Sequence, residues 1–427
     1  TYMVYDERDR LVLTQDAVQK KENQWLFTKY DHLNRPVMTG WYESERDREA
    51  LQALVDSEVG DEGTYRWYES EGAALLGYNN KSFPNIPSEQ DVLTVMYYDD
   101  YDHLEDWGAG YEYKDNTTSY GAELPERPVG QVTGTMTRIL EREDWIRSVS
   151  WYDKKYRVVQ AVSDNHLGGT DRTFTRYDFT GNVLRTRLEH RVPEQQTYSI
   201  EETFDYDHGM RITGQYHHLG HTVQWTSAQG IEQTGKDQLK STGAEAGATA
   251  EAIIPADHNG WVRARVPEQD GAFIVGLKEI ELAAGDEETQ SAAEQAADEA
   301  DPLENITPDF GIEIARGGQL TIKEKGSTLP LGRSAKSGDV VAVTRVGNTI
   351  KYLVNDTAVY TSRDRSTEDL QPVVRISTAA LEVTGLYVST TGQVLLAGNS
   401  YNAIGELTEK KLHSLDGGRT SQQHLDY

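Results

Sequence analysis

The sequence contains no cysteine, which excludes disulfide bonds, thiolate nucleophiles and cysteine-ligated zinc sites. Basic residues are scarce: 42 Lys and Arg stand against 70 Asp and Glu, for a net charge of −28. This excess of negative charge argues against nucleic acid as a partner and against docking on anionic lipid, because both need clustered lysine and arginine. No apolar run approaches the roughly 18 residues that a membrane-spanning helix requires, so we expect no membrane insertion.

The familiar catalytic motifs are also missing. The chain has no Gly-x-Ser-x-Gly elbow, no His-Glu-x-x-His, no P-loop and no Gly-x-Gly-x-x-Gly. The triplet 309–311 spells Asp-Phe-Gly, as in kinases, but the loops that would give it meaning are absent. A glycosidase pair stays open, since it acts only when two carboxylates flank a bond and the sequence shows no such placement. We expect a protein that is not an enzyme.

Tyrosine, by contrast, is abundant, with 24 residues, and much of it belongs to a repeat. A β-rich run leads into Tyr-Asp, a short polar turn follows, and most copies continue into a second β-rich run. This order predicts a β-hairpin in which the Asp side chain bonds nearby backbone N–H groups and Gly or Asn takes a positive φ. The residues of the motif are Tyr5, Asp6, Arg10, Tyr30, Asp31, Asn34, Arg35, Tyr98, Asp99, Tyr152, Asp153, Arg157, Tyr177, Asp178, Gly181, Tyr206, Asp207, Arg211, Tyr401 and Gly405.

The spacing of the repeats predicts an insertion. Tyr5 and Tyr30 are 25 residues apart, as are Tyr152 and Tyr177, but Tyr206 and Tyr401 are 195 apart. Removing one ordinary period leaves roughly 165 residues that do not belong to the array, enough for a domain of their own. The wide gaps before Tyr98 and Tyr152 indicate either smaller elaborations of the repeat or copies too degenerate to recognise.

The repeated segments resemble the Rhs/YD-repeat family, in particular large secreted members of Bacteroidetes-type bacteria. The resemblance covers residues 1–224 and 390–427 and rests on runs such as 5–16, 23–31, 163–172 and 401–407. It implies an all-β fold in which hairpins join edge to edge into a curved or spiral shell, often around a C-terminal toxin. The chain departs from the family at Asp9, where Gly is usual, and at Gly209-Met210, which look transposed. It shows neither a self-cleavage motif nor a toxin.

Residues 225–389 have a different pattern and predict an inserted antiparallel β-sandwich. Apolar and polar residues alternate in several short runs at the spacing of a sandwich. The tract 338–355 resembles concanavalin-like (jelly-roll) modules of secreted bacterial surface proteins, which implies a lectin-like role, with no sugar-binding residue that we can assign. Residues 283–304 are acidic with no basic residue and predict a solvated or partly helical loop.

Three further segments each leave two interpretations. Residues 44–59 predict a short surface helix with Ser44 as a candidate N-cap, although a binding role stays open. The carboxylates of 97–102 suit either a calcium site or a solvated turn, and we adopt the turn. His217, His218 and His221 suit either a zinc site or a solvent-exposed connection, and we adopt the connection. We therefore expect no cofactor.

These features together predict a non-catalytic shell segment of a large secreted or cell-surface bacterial protein. The expected partner is the remainder of the same polypeptide, with further repeats and a C-terminal effector, since the chain starts inside a strand and ends like the start of a repeat. The alternative is an adhesin that binds a surface glycan or a protein through the inserted module.

Overall fold

The structure is a computed structural model that describes residues 1–60, 62–114, 124–195, 197–256, 258–280, 303, 306–414 and 421–426. It is all-β and antiparallel, as predicted: the described residues form 30 strands and one α-helix. The chain divides into two compact units, the first comprising Thr1–Tyr113 with Glu123–His166 and the second Lys114–Ala122 with Leu167–Tyr427.

Unit 1 contains an eight-stranded antiparallel meander and one short separate strand. Its strands are β1 (Tyr2–Tyr5), β2 (Leu11–Gln15), β3 (Gln24–Tyr30), β4 (Pro36–Glu43), β5 (Glu71–Leu75), β6 (Val92–Tyr98), β7 (Val132–Arg138), β8 (Trp145–Tyr152) and β9 (Val158–Asp164). The meander follows chain order and omits β5, which makes only isolated bridges to Tyr78. Short 3₁₀ segments lie at Gln19–Glu22, Glu89–Asp91 and Asp102–Asp106.

The single helix of unit 1, α1 (Arg48–Glu58), packs one apolar stripe onto the meander. Leu51 and Val55, four residues apart and so on one face, are buried in the same core as Trp25 and Phe27 of β3. The predicted N-cap was wrong: Asp47, not Ser44, accepts the Ala50 N–H at 2.9 Å, because the helix starts at Arg48 and only Asp47 precedes its first turn.

Unit 2 contains the remaining strands. In chain order they are β10 (Thr170–Tyr177), β11 (Val183–Arg191), β12 (Tyr198–Tyr206), β13 (Ile212–His221), β14 (Trp225–Gln229), β15 (Ile231–Gly235), β16 (Gln238–Ser241), β17 (Ala246–Ala250), β18 (Gly260–Arg265), β19 (Phe273–Ile280), β20 (Phe310–Ile314), β21 (Gln319–Glu324), β22 (Ser327–Ser334), β23 (Val340–Val346), β24 (Thr349–Val354), β25 (Thr357–Arg365), β26 (Asp369–Ile376), β27 (Glu382–Ser389), β28 (Gln393–Tyr401), β29 (Leu407–Ser414) and β30 (Gln423–Asp426). A short 3₁₀ segment lies at Arg316–Gly318.

The repeat strands of unit 2 continue past the predicted insert as one sheet, in the order β10-β11-β12-β13-β28-β29-β30. Strand β13 pairs directly with β28, from Gly214 opposite Gly398 to His218 opposite Gln393. The chain thus leaves the repeat sheet after β13 and returns to the adjacent position in β28.

Strands β14 to β27 form a β-sandwich. One sheet has the order β14-β17-β26-β19-β20-β21-β22, and the other has the order β15-β16-β27-β18-β23-β24-β25. Side chains from both sheets, such as Phe273 and Phe310 on one and Val343 and Tyr352 on the other, share one hydrophobic core. All buried residues of that core lie between residues 223 and 388, so none comes from the repeat strands.

Two sequence predictions on organisation are not tested by these features. The boundaries at 224 and 390 stay a prediction, since the compact units meet elsewhere in the chain, near residue 166. The acidic loop 283–304 lies outside the described residues, apart from Leu303. In the described ranges, no helix is both long enough and apolar enough to cross a membrane.

Candidate functional site

The predicted repeat residues form a recurring turn held by one aspartate carboxylate. In the second repeat, Asp31 Oδ1 accepts the backbone N–H groups of Leu33 and Arg35 at 2.9 and 2.8 Å, and Oδ2 accepts Arg35 Nε at 2.6 Å. The Asp31 N–H closes the turn by donating to the Arg35 carbonyl at 2.9 Å. The same bonds hold three other turns, those of Asp6 with Arg10, Asp153 with Arg157, and Asp207 with Arg211.

Two turns keep this geometry with different side chains. Asp178 Oδ2 accepts Asn182 Nδ2 at 2.9 Å, so an amide replaces the guanidinium. In the last repeat the polarity is reversed, because Asn402 Nδ2 donates to Glu406 Oε2 at 2.9 Å. The turn therefore needs one donor and one acceptor four residues apart rather than the Asp-Arg pair itself.

The turn of the Tyr98 repeat is interrupted by a long excursion. The Asp99 N–H donates to the carbonyl of Gln131 at 3.1 Å, a bond that spans four residues in the other turns. Asp99 Oδ1 also accepts the Gly130 N–H at 2.6 Å. Residues 100–130 are thus inserted within a turn, which explains the wide gap before Tyr152.

Each tyrosine of five repeats reaches back to the preceding repeat in its unit. The hydroxyl donates to the backbone carbonyl of the first residue after the preceding turn, at 2.7 to 3.1 Å. The pairs are Tyr30 with Leu11, Tyr98 with Pro36, Tyr152 with Val132, Tyr206 with Val183 and Tyr401 with Ile212. Tyr5 is 40% exposed. The motif tyrosine is therefore a link between successive hairpins.

The arginine of a turn makes a second link, to the repeat that follows. The Arg35 guanidinium donates to both carboxylate oxygens of Asp99, at 2.9 and 2.7 Å, and lies 4.2 Å from the Tyr98 ring centre. Arg10 similarly covers the Tyr30 ring at 4.9 Å and donates to Asn34 at 2.9 Å. Planar guanidinium groups suit both contacts, since they bind carboxylates with two donors and stack on aromatic faces.

The aspartates of three turns, Asp99, Asp153 and Asp207, have lowered pKa values. Hydrogen bonds from Arg211 lower the pKa of Asp207 to about 2, and hydrogen bonds from Arg35 lower the pKa of Asp99. Burial alone would raise the pKa of Asp153, but hydrogen bonds from Arg157 outweigh the effect of burial, and the pKa is lowered. Because these three folded pKa values lie below the unfolded value of about 3.9, these three carboxylates contribute stability above about pH 4 that is lost as the pH falls toward 2.

The fourth residue of the turn has a left-handed backbone in these six repeats, with φ between 57° and 105°. Glycine, asparagine and aspartate tolerate this region, but methionine and tyrosine do so at a cost. The positions are Asp9, Asn34, Tyr156, Gly181, Met210 and Gly405. The Gly209-Met210 order thus puts methionine at a position where glycine is favoured.

We expect Met210→Gly to raise the free energy of unfolding by about 0.5–1 kcal/mol, because relief of the left-handed strain exceeds the entropy that glycine adds to the unfolded chain. Urea denaturation measures the change. The matched control is Gly405→Ala, which introduces a Cβ at φ 92° and should destabilise the protein by a similar amount. A destabilised Met210→Gly variant would show that the methionine side chain contributes more than its backbone strain costs.

A charged cleft in unit 2 lies between the repeat sheet and the outer face of the sandwich. It contains two neighbouring cavities of about 430 and 340 Å³, and Arg263 of β18 lines both. Arg263 donates to Glu201 of β12 at 3.3 Å and to Ser199 at 2.6 Å, and its guanidinium lies 4.7 Å from the ring centre of Trp261. Arg185 of β11 pairs with Glu201 and with Asp356, which follows β24. Ion pairs therefore connect the repeat sheet of unit 2 to the sandwich.

The surroundings of the cleft shift the pKa values of its carboxyl groups in opposite directions. Burial would raise the pKa of Glu189, but Arg187, Arg191, Lys114 and Arg265 outweigh it and hold that pKa at about 2. Arg263 and Arg185 likewise overcome burial and lower the pKa of Glu201. Burial and the negative charge of Glu201 raise the pKa of Asp356. The larger cavity therefore offers a polar ligand both carboxylate acceptors, Glu201 and Asp356, and guanidinium donors, Arg185 and Arg263.

The prediction that the three histidines lie in a solvent-exposed connection was wrong. His217, His218 and His221 belong to β13, which is paired on both sides, and all three are half-buried. Successive strand residues point to opposite faces, so His217 and His218 diverge, and the described residues hold no metal-like group that includes them. His218 lines the larger cavity, where burial lowers its pKa to about 4.

Sequence reasoning missed the cleft, although one signal was present. Strand β11 reads Arg185-Thr-Arg187-Leu-Glu189-His-Arg191, so charged residues occupy every second position. Such a period places all four on one face of a strand, which predicts a charged face packed against another charged surface.

Comparison with known proteins gives no family assignment. No family model and no curated protein matches the chain. Among solved structures, the SPRY domain of human HERC1 is similar at 17% identity and TM-score 0.25, over 39% of this chain and 96% of that domain. A carbohydrate binding module, CBM66 from Bacillus subtilis, is similar at 10% identity and TM-score 0.21, over 40% of this chain and 89% of the module. Trypanosoma rangeli sialidase is similar at 11% identity and TM-score 0.25, over 86% of this chain and 76% of the enzyme. TM-scores this low support no conclusion about fold or function.

Proposed function

We propose that this chain is a non-catalytic segment of a YD-repeat scaffold that carries a β-sandwich module on an insertion between two neighbouring strands. The observation that carries the proposal is the direct pairing of β13 with β28, which keeps the repeat sheet continuous across the point where the insert leaves it. The tyrosine links support it, since in five repeats they join one hairpin to the preceding one through the same kind of bond.

In this proposal the repeats build the curved shell of a secreted or cell-surface bacterial protein. The role of the shell is to enclose or present an effector region of the same polypeptide. Turns joined through side-chain bonds suit that role, because each added hairpin extends the sheet without a new core. The sandwich, with a complete core of its own, is the part able to vary without disturbing the shell.

A second candidate function is binding of a carbohydrate or protein through the inserted module. The charged cleft favours it, since a cavity of about 430 Å³ with Trp261, His218 and the Glu201–Asp356 pair offers polar groups and an aromatic edge. This function and the scaffold role are compatible, because the cleft uses residues from both.

Excision of residues 225–389 tests the scaffold proposal. We expect the isolated segment to fold alone with a β-type circular dichroism spectrum, because it contains every buried residue of the sandwich core except Val223. We expect the shortened chain to keep its β structure, because the repeat face that it uncovers carries Arg187, Glu189 and Glu201 rather than apolar side chains. Aggregation of the shortened chain together with an unfolded insert would contradict the proposal.

The same three proteins separate the two candidate functions on a panel of immobilised glycans. Binding by the full chain that both fragments lose would place the ligand in the cleft. Binding kept by the isolated insert would place it elsewhere on the sandwich. Hydrolysis of any glycan on the panel would contradict the non-catalytic assignment.

A further inference from the structure

A lysine amine, a glutamate carboxylate and an asparagine carboxamide meet in the core of unit 1. Lys29 lies on β3, Glu69 lies just before β5, and Asn80 lies between β5 and β6. Lys29 Nζ donates to Glu69 Oε1 at 2.8 Å and to Asn80 Oδ1 at 2.6 Å. Lys29 and Glu69 are each 1% exposed. The cluster therefore brings a nucleophile, a proton acceptor and a carbonyl group into direct contact.

Water has little access to this cluster. A cavity of about 10 Å³ beside Lys29 and Ser82, lined also by Phe83, has room for one water molecule at most. Ionised side chains are costly in such surroundings, and burial lowers the pKa of Lys29, although the charge and the hydrogen bond of Glu69 oppose that shift. Transfer of one proton from Nζ to Glu69 removes both charges and leaves a neutral amine, the form of lysine that acts as a nucleophile.

The carboxamide of Asn80 is held in a fixed orientation by Ile86. Asn80 Nδ2 donates to the Ile86 carbonyl at 2.7 Å, and Asn80 Oδ1 accepts the Ile86 N–H at 3.2 Å. Oδ1 thus accepts hydrogen bonds from both Ile86 and Lys29, which polarise the carbonyl and would stabilise negative charge on that oxygen. Because Nζ already contacts Oδ1, a small rotation of the lysine side chain brings Nζ to the carbonyl carbon, at the roughly 3–3.5 Å from which addition occurs.

We propose that Lys29 and Asn80 become joined by an isopeptide bond between Nζ and Cγ, with Glu69 as the group that transfers protons. Glu69 first takes a proton from the Lys29 ammonium group. Nζ then adds to Cγ, and the carbonyl electron pair moves onto Oδ1. As the carbonyl reforms, the bond between Cγ and Nδ2 breaks and Glu69 donates its proton to the departing nitrogen. Glu69 then takes up the proton that Nζ loses on becoming an amide nitrogen.

The atoms of this reaction balance without an oxidant or a cofactor, because one C–N bond replaces another and one ammonia molecule leaves. The Lys29–Glu69 ion pair is the state from which the bond forms. The reaction occurs once in each chain, so it is compatible with a non-catalytic scaffold, and it does not depend on that proposal.

The bond would clamp β3 to the segment that precedes β6. It closes a loop between two residues that are 51 apart in the sequence, and a cross-link of this kind restricts the unfolded chain. The chain has no cysteine and so no disulfide. An isopeptide bond is a covalent alternative that reducing conditions do not break.

Mass spectrometry of the full chain tests the proposal. We expect the intact mass to be lower than the mass of the sequence by one ammonia molecule. Trypsin does not cut after an acylated lysine or between Arg35 and Pro36. Digestion should therefore yield the segments 22–46 and 67–81 joined as one branched peptide, with the link between Lys29 and Asn80.

Four substitutions separate the chemistry from the fold. Lys29→Met and Asn80→Ala each remove a reacting group, so these chains should have the full masses of their sequences. Glu69→Gln keeps the shape of the side chain but cannot accept the proton, and should slow formation of the bond about 100-fold or more. The matched control, Lys81→Met, changes an exposed lysine next to Asn80 and should still lose ammonia. The parent chain decides the question by itself, so a variant that fails to fold does not obscure the result.

Several results would overturn the proposal. One is an intact mass equal to that of the sequence, both in fresh protein and after prolonged incubation. Another is loss of ammonia without the branched peptide, because Asn80 would then have closed on its own backbone as a succinimide. An unchanged rate in folded Glu69→Gln would overturn the assignment of proton transfer to Glu69.

Discussion

Replacement of Lys29 by methionine is expected to lower the free energy of unfolding of unit 1 by about 3–5 kcal/mol, the range for breaking a buried ion pair by removing one partner. Both side chains of the Lys29–Glu69 pair are fully buried. Lys29 Nζ donates to Glu69 at 2.8 Å, to Asn80 Oδ1 at 2.6 Å and to the Ser82 carbonyl at 3.2 Å. Methionine fills the space but leaves three acceptors without their donor.

The reason for so large an effect is the carboxylate that remains. Glu69 also accepts hydrogen bonds from the backbone N–H and the hydroxyl of Ser82, at 2.9 and 2.7 Å. These bonds hold the carboxylate in its buried position, away from water. Burial lowers the pKa of Lys29, and the charge of Glu69 together with its hydrogen bond to Lys29 opposes that shift. With the lysine removed, a negative charge is buried without a counter-ion.

Urea unfolding followed by tryptophan fluorescence measures the change. The double variant Lys29→Met with Glu69→Gln should recover part of the loss, because a neutral amide can still accept from Ser82. Lys21→Met, at an exposed lysine of the same unit, should change stability by less than about 0.5 kcal/mol. A loss below about 1 kcal/mol for Lys29→Met would mean that the pair is more hydrated than its burial indicates.

The turns of the repeats could be predicted from the sequence because their chemistry is local. An aspartate and an arginine four residues apart supply both partners of the bonds that close the turn, so the motif specifies its own geometry. The hydroxyl contact of Tyr206 with the Val183 carbonyl could not be predicted. It spans 23 residues, and the register between two hairpins decides which carbonyl faces the ring.

Long-range contacts account for the other differences from prediction. Alternating runs such as 340–346 indicate strands, but the sequence does not show that β18 lies between β23 and β27. Lys29 and Glu69 are 40 residues apart in the sequence. Glu71 comes before β6 and Asp100 after it, yet their carboxylate oxygens lie within 4.8 Å of each other. The histidines of β13 were misplaced for a similar reason, since their run has no clear alternation and the strand is fixed by β12 and β28.

Arg35 is expected to be the most sensitive turn residue, because it holds its own turn and the next one together. Arg35→Ala removes the Nε bond to Asp31 at 2.6 Å, the two bonds to Asp99 and the contact with the Tyr98 ring. Its side chain is 20% exposed, so solvent screens these interactions only in part. Hydrogen bonds to charged groups contribute about 1.5–3 kcal/mol each in favourable settings, and we expect a total loss of about 3 kcal/mol. Arg46→Ala, at an exposed arginine of the same unit, is the control.

The central claim, that side chains of the motif link successive hairpins, is tested most directly by a double-mutant cycle on the pair Arg35 and Asp99. Arg35→Ala, Asp99→Ala and the double variant are compared with the parent chain by urea unfolding, and the coupling energy is the difference between the summed single losses and the double loss. Bidentate bonding between the two turns predicts a coupling of about 1–3 kcal/mol. A coupling below about 0.3 kcal/mol, within the error of additivity, would show that neighbouring turns are independent and would contradict the account.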